Sequence, residues 1–309
     1  YNRNASVSER FGVKFELIKS SNNNYETDGV NSILAGEDAY DIIVPHARAS
    51  FKYAEQGLCL DWNTDLPYID LDKPWWDADA RESFEINGKL YTMVGDISYQ
   101  ALAQTDCMLF NKVLFDKYNE EYPYQMVLDG KWTFSEFSRL VKLCSDDING
   151  DGLYEPDKDR FGYVTYQWVG PMQSLTTGGG RIVDKDKSGI PVLSINPERN
   201  QKVFEDYFAL LDTKNCYLEL NRDDKQSKFD NRKVFEEGRA LLMDCALNDI
   251  SYLRDMKDDF GIIPAPKYDD AYDNYYTNVD AGTNLFIVPI TNSDPERTSI
   301  VLEALCAEG

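Results

Sequence analysis

Asp147-Ile148-Asn149-Gly150-Asp151-Gly152 sets carboxylate, amide and carboxylate oxygens at alternate positions, with a glycine sixth. Such a run opens a calcium loop, in which hard oxygen donors converge on one cation and the glycine permits the sharp turn. Glu155 holds the ninth position, but the twelfth is Lys158, with Asp157 and Asp159 on either side. A loop one residue longer, closed by Asp159, restores a late acidic ligand. The spacing predicts a structural calcium held by Asp147, Asn149, Asp151, Glu155 and Asp159. The alternative is a surface turn of Asp, Asn and Gly that binds nothing.

Other chemistry is sparse. His46 is the single histidine, which argues against zinc sites built on several His ligands and against His-pair acid/base schemes. It follows the apolar run Asp41 to Pro45, where α/β proteins place ligand contacts, and reads either as such a contact or as a loop residue. Thr176 to Arg181 is glycine-rich but lacks the phosphate-loop framework, so a tight connection is expected. Trp75-Trp76 and Trp168 stand among carboxylates and amides, a mixture suited to sugars, which offer C–H faces for stacking and hydroxyls for hydrogen bonds. Trp62 and Trp132 read as core, and Trp168 reads equally as core or as contact. The six cysteines are widely spaced, with no C-x-x-C, and read as free, buried thiols.

The elements that would carry these residues alternate between strand and helix. Val13 to Ile18, Asp41 to Pro45, Leu90 to Val94, Cys107 to Phe110, Phe260 to Ile263 and Asn284 to Pro289 read as strands. Helices are expected at Val30 to Leu34, from a Thr133–Glu136 capping box to about Cys144, at Pro197 to Leu211, at Lys233 to Gly238 and at Asp294 to Glu308. Asn87-Gly88 and Asp184 to Gly189 read as turns. The chain of 309 residues has room for about two domains, and its net charge of −22 argues against nucleic acid and anionic bilayers as partners. At 42% hydrophobic and 13% aromatic it is not a disordered chain. No linker separates two halves, so two lobes would have to be interleaved.

The order of short motifs resembles the family 1 extracellular solute-binding proteins of bacterial ABC importers. The series runs through Ala39-Tyr40-Asp41-Ile42-Ile43-Val44, Gln56-Gly57-Leu58-Cys59-Leu60-Asp61, Gly88-Lys89-Leu90-Tyr91 and Met108-Leu109-Phe110-Asn111-Lys112. It continues with Lys131-Trp132-Thr133-Phe134-Ser135-Glu136-Phe137, Asp159-Arg160-Phe161-Gly162-Tyr163, Phe235-Glu236-Glu237-Gly238-Arg239-Ala240 and Phe260-Gly261-Ile262-Ile263-Pro264-Ala265-Pro266-Lys267. Each piece is weak alone; their collinear order covers nearly the whole chain.

The resemblance implies an α/β, periplasmic-binding-protein-like fold of two lobes joined by a hinge with two chain crossings. Lobe one would be 1–105 plus 283–309, and lobe two 106–282 with the calcium-like loop at 147–159. Carried over by position, the ligand-binding candidates are His46, Arg48, Asp96, Ser98, Trp168, Asp244 and Asp280. Val94-Gly95-Asp96 departs from the family, which often has proline there. The resemblance further implies a monomer that captures a mono- or oligosaccharide without altering it and delivers it to ABC permease transmembrane subunits. It implies an extracellular, lipid-anchored location, and a longer protein with a signal peptide, an anchor cysteine and a further C-terminal part. Two other readings stay open from the residues alone: a glycoside hydrolase with a carboxylate pair, and a calcium-dependent adhesion protein.

Overall fold

The computed structural model describes residues 2–20, 27–179, 181–220 and 230–309. In chain order the elements are α1 (Asn2–Phe11), α2 (Asp28–Leu34), α3 (Ala47–Glu55), α4 (Ala78–Phe84), α5 (Gln100–Ala103), β1 (Asp106–Asn111), α6 (Lys112–Tyr118), α7 (Tyr124–Leu128), α8 (Phe134–Leu143), β2 (Ser145–Asp146), β3 (Arg160–Tyr166) and α9 (Gly170–Thr177). There follow β4 (Val183–Lys185), β5 (Pro191–Leu193), α10 (Pro197–Leu211), β6 (Cys216–Glu219), α11 (Asn231–Glu236), β7 (Ala240–Ala246), a 3-10 helix (Leu247–Leu253), β8 (Phe260–Ile263) and α12 (Pro295–Ala307). The chain divides into two compact units: Tyr1–Leu102, Lys185–Val192 and Ala281–Gly309 form the first, Ala103–Asp184 and Leu193–Asp280 the second. The tip of the β4–β5 hairpin, 185–192, therefore groups with the first unit rather than with the chain on either side of it.

The second unit is built on a mixed sheet of order β2-β3-β7-β1-β8, with β6 also paired to β3. β1 runs antiparallel to both β7 and β8, while β3 runs parallel to β6 and β7. All six residues of β1 are buried, as expected of a strand covered on both faces. Strand alternation sends Met108 and Phe110 to a core with Trp132, Phe137, Leu140 and Val141, and Cys107 and Leu109 to an opposite core with Phe161, Val234, Phe235 and Met243. Gly162 lets β3 reach α8: a Cβ there would stand 1.9 Å from the Val141 carbonyl oxygen.

In the first unit the run from Asn284 to Pro289 makes isolated bridges rather than a continuous strand. Ile287 pairs with Ile43, Asn284 with His46, Phe286 with Met93 and Pro289 with Cys59. Leu90 to Val94 is likewise a bridge-paired run. Around these runs pack Trp62, Trp76, Leu90, Met93, Val288, Leu302 and Cys306, with Trp62 and Trp76 edge to face at 5.6 Å. α12 is tied in through Glu303, whose two carboxylate oxygens accept the indole N–H groups of Trp75 (3.1 Å) and Trp76 (2.9 Å). Asn87 and Gly88 both adopt positive φ, 51° and 74°, the turn that closes the Ile86–Lys89 pair.

Two further expectations are corrected. Val13 to Ile18 is not a strand: it is non-helical chain with Leu17 82% exposed, and it has no ladder partner among the described residues. An alternating pattern becomes a strand only when a neighbour takes its N–H and C=O groups. The Thr133–Glu136 capping box does not form either. Thr133 does start α8, but the N–H of Phe134 donates to the Lys267 carbonyl at 2.6 Å and Glu136 turns to Arg139 at 2.8 Å. A tertiary acceptor has replaced the local cap. All six cysteines are free thiols, five of them buried.

Candidate functional site

The sequence candidates fall on both units. In the first, His46 is the half-buried residue that precedes α3, and its carbonyl accepts the Ala49 and Ser50 N–H groups. Arg48 lies two residues on, in the first turn of α3, and is exposed. Asp96 and Ser98 occupy a different turn. The Asp96 N–H donates to the Trp75 carbonyl at 2.9 Å, and Ser98 Oγ accepts from Gln100 N–H at 3.2 Å at the start of α5. The first unit also holds an open groove of about 460 Å³ lined by Ala78, Arg81, Glu82, Glu85, Asn87 and Lys185, among others. None of the candidates lines it, and its cations are engaged: Arg81 with Asp72 at 2.6 Å, Lys185 with the Glu82 carbonyl. The groove therefore lacks the uncommitted, convergent polar groups that mark a binding site.

The second unit gathers more chemistry. Trp168 sits in the turn between β3 and α9 with 65% of its surface exposed, so the core reading fails for it, while Trp62 and Trp132 are buried. Asp244, on β7, is 1% exposed and accepts the Tyr163 hydroxyl at 2.5 Å, which in turn meets the Tyr207 hydroxyl at 3.1 Å. Burial first, then the charge of Asp244, pushes both tyrosines well above the usual phenol range. Gly170 caps this cluster: a Cβ there would lie 2.0 Å from Tyr207 Oη and 2.8 Å from Asp244 Oδ2.

Asp244 and Asp280 come together around a carboxyl that motif reading missed. Asp106, the first residue of β1, is 7% exposed and its pKa is pushed up to about 8, by burial first and then by Asp244, Asp280 and Asp249. Polar groups continue from it. The Asp106 N–H donates to the Asn278 carbonyl (2.8 Å) and its carbonyl accepts from Thr277 Oγ1 (2.6 Å). Thr176 Oγ1 donates to Asn278 Oδ1 at 2.5 Å, and Gln173 Nε2 donates to the Tyr276 carbonyl at 3.2 Å. Gln173 and Thr176 are three apart on α9 and therefore share a face. That amide–hydroxyl spacing was present in the sequence, and Asp106 was visible as a carboxyl opening an apolar strand.

The calcium-like loop folds as a tight turn, with Gly150 at φ 73° and Gly152 at 80°. Its carboxylates serve its own backbone. Asp147 accepts the Gly150 and Gly152 N–H groups (2.6 and 2.8 Å), Asp151 that of Leu153 (2.8 Å), and the buried Asp159 those of Ile148 and Glu155 (both 2.9 Å). The Asn149 amide donates to Asp151 at 2.8 Å. The Lys158 ammonium bonds Glu155 and lies 3.9 Å from Asp151. Among the described residues no three His, Cys, Asp or Glu side chains converge as a metal-holding group. The glycine-rich stretch Thr176 to Arg181 ends α9 and turns at Gly178 and Gly179; its Gly180 lies outside the described residues.

A family model described as bacterial extracellular solute-binding protein matches residues 5–303. No curated protein sequence matches the chain. Among solved structures, UgpB from Mycobacterium tuberculosis in complex with glycerophosphocholine is 17% identical with a TM-score of 0.65, over 99% of this chain and 70% of that one. Lmo0181 from Listeria monocytogenes in complex with cycloalternan is 19% identical with a TM-score of 0.64, over 99% and 71%. The GacH receptor of Streptomyces glaucescens, solved unliganded and with acarbose, is 15% identical with a TM-score of 0.64, over 98% and 71%. At these identities the likeness speaks to fold, and it places the chain in the mixed α/β, periplasmic-binding-protein-like class expected from the sequence.

Proposed function

Because the chain belongs to the bacterial extracellular solute-binding proteins, we propose that its solute is a carbohydrate, a mono- or oligosaccharide, captured unaltered and passed to an ABC permease. The observation that carries this reading is the 65%-exposed indole of Trp168, two residues ahead of α9. An exposed aromatic face suits the C–H face of a pyranose. The cycloalternan and acarbose held by the structural relatives support the same ligand class.

Capture without turnover, a monomeric state and a lipid anchor are part of the same proposal, which the family assignment supports. Native mass spectrometry of freshly purified protein, followed by calorimetric titration with a maltooligosaccharide and cyclic glucan panel, tests it. A bound glycan recovered with unchanged mass is expected, and Trp168→Ala should weaken binding about tenfold, the loss of one stacking contact worth ~1.4 kcal/mol. A shortened glycan would install the hydrolase reading instead, and equal affinity in Trp168→Ala would remove the stacking face. We propose in addition that loop 147–159 takes calcium when Glu155 releases Lys158. The alternating Asp147, Asn149 and Asp151 oxygens on one turn support this.

A further inference from the structure

Cys107 on β1 stands directly opposite Cys245 on β7, with their sulfurs 3.9 Å apart. The Leu247 N–H donates to the Thr105 carbonyl at 2.9 Å, which makes Thr105 and Leu247 a hydrogen-bonded antiparallel pair. Hydrogen-bonded pairs recur every second residue, so Cys107 and Cys245 form the next one, with Cα atoms about 5.5 Å apart. That spacing lies inside the roughly 4.4–6.8 Å range that a disulfide bridges, so small side-chain rotations of the two cysteines bring the sulfurs together with little backbone movement. Both side chains are buried on the sheet face that carries Phe161, Val234 and Phe235, opposite the face of Asp106 and Asp244. Cys59, Cys144, Cys216 and Cys306 lie elsewhere in the fold, Cys216 against Thr213 at 3.9 Å and Cys306 beside Gly95.

We propose that Cys107 and Cys245 are a disulfide-forming pair, closed by thiol–disulfide exchange with a small glutathione-type disulfide while the chain folds outside the cytoplasm. One thiolate attacks the reagent's S–S bond, forming a mixed disulfide and releasing one reagent thiolate. The second protein thiolate then attacks the protein sulfur of that mixed disulfide and expels the other reagent thiolate. Two protein thiols lose two protons and two electrons, and one reagent disulfide is reduced to two thiols. In the finished fold the hydrogen bond to Cys107 and then burial push the Cys245 thiol well above its usual range, which makes it inert there. Exchange therefore belongs to the folding or locally opened chain. The extracellular family assignment places that folding in a compartment where disulfides persist. The bond would join residues 138 apart in sequence and fix β1 to β7 beside the Asp106–Asp244 pair of carboxyls.

The unmodified full chain, refolded with oxidised glutathione, is alkylated without reduction, digested and mapped by mass spectrometry. A crosslinked peptide pair containing Cys107 and Cys245 is expected, with the free-thiol count in denaturant falling from six to four. Dithiothreitol should restore six thiols and lower the melting midpoint by several degrees. Cys59→Ala should leave the crosslink in place. Six alkylated thiols after oxidation, or a map dominated by any other pairing, overturns the proposal. The readout involves no ligand, so it stands apart from the carbohydrate reading.

Discussion

Asp106→Asn should make the protein more stable, and increasingly so as the pH rises. The folded carboxyl titrates near 8, above the ordinary aspartate value of 3.8, because β1 buries it and Asp244, Asp280 and Asp249 oppose its charge. Folded chains therefore hold a proton that unfolded chains release between those limits. The stability this group leaves intact below about pH 4 is drained as the pH climbs, and the full penalty is in place above about pH 8. At ~1.4 kcal/mol per pH unit the ceiling is about 6 kcal/mol. Local hydration of an ionising buried carboxyl cuts this to roughly half. The amide keeps the side chain's size and its neutral hydrogen bonding to Asn278, but removes the titration. Calorimetry at pH 5 and pH 8.5 reads the effect. The variant and the parent should differ by about 1 kcal/mol at the lower pH and about 3 kcal/mol at the higher, the latter roughly 6–12 °C for a body of this size. Asp280→Asn, which removes one opposing charge and keeps Asp106, should leave the onset of the parent's loss near pH 4 and make the loss smaller. A stability gap that stays constant with pH, or a variant less stable at pH 8.5, refutes the reasoning.

Glu303→Ala leaves the Trp75 and Trp76 indole N–H groups without their shared acceptor, at a cost of about 2 kcal/mol read as a lower urea midpoint; an unchanged midpoint would show that water replaces the carboxylate. Gly162→Ala drives a Cβ into the Val141 carbonyl and should cost more than about 3 kcal/mol, seen as loss of soluble folded protein; normal expression with an unshifted melting curve counts against the β3–α8 contact as described. Millimolar calcium should raise the melting midpoint of the parent chain and not that of Asp147→Ala, whereas a midpoint indifferent to calcium and chelator alike leaves the loop as a turn.

What could be read from the chain divides by the range of the interaction that decides it. α10 begins at Pro197 behind an Asn196 cap that accepts the Arg199 N–H, all within four residues, and its sequence-derived limits match the structure. β8 matches for a similar reason, a short apolar run opened by Asp259 and closed by Pro264. Val13 to Ile18 carries an equally good local pattern and fails, because a strand needs a partner that lies elsewhere in the chain. α8 shows both cases at once. Its apolar stripe places the helix, while its first N–H is satisfied by Lys267, more than a hundred residues on, which no capping rule could foresee.

The same division explains why the site was harder to see than the fold. Trp168 declared itself through residue type, since a large aromatic beside amides and carboxylates is a local feature, and its exposure then chose between two readings. Asp106 did not declare itself. Alone it is an acid at the edge of an apolar run; only the register that sets it against Ala246 brings Asp244 near, and only the pairing of 104–106 with 277–280 brings in Asp280, whose N–H donates to the Gln104 carbonyl. A carboxyl near neutrality in this protein is thus a product of strand pairing between positions far apart in sequence. It follows that proton uptake should be felt wherever that pairing is felt. A ligand hydroxyl docking on Asp106 would meet a hydrogen-bond donor below about pH 8 and an acceptor above it, so ligand affinity should change around pH 8, at the upper end of the window in which stability falls.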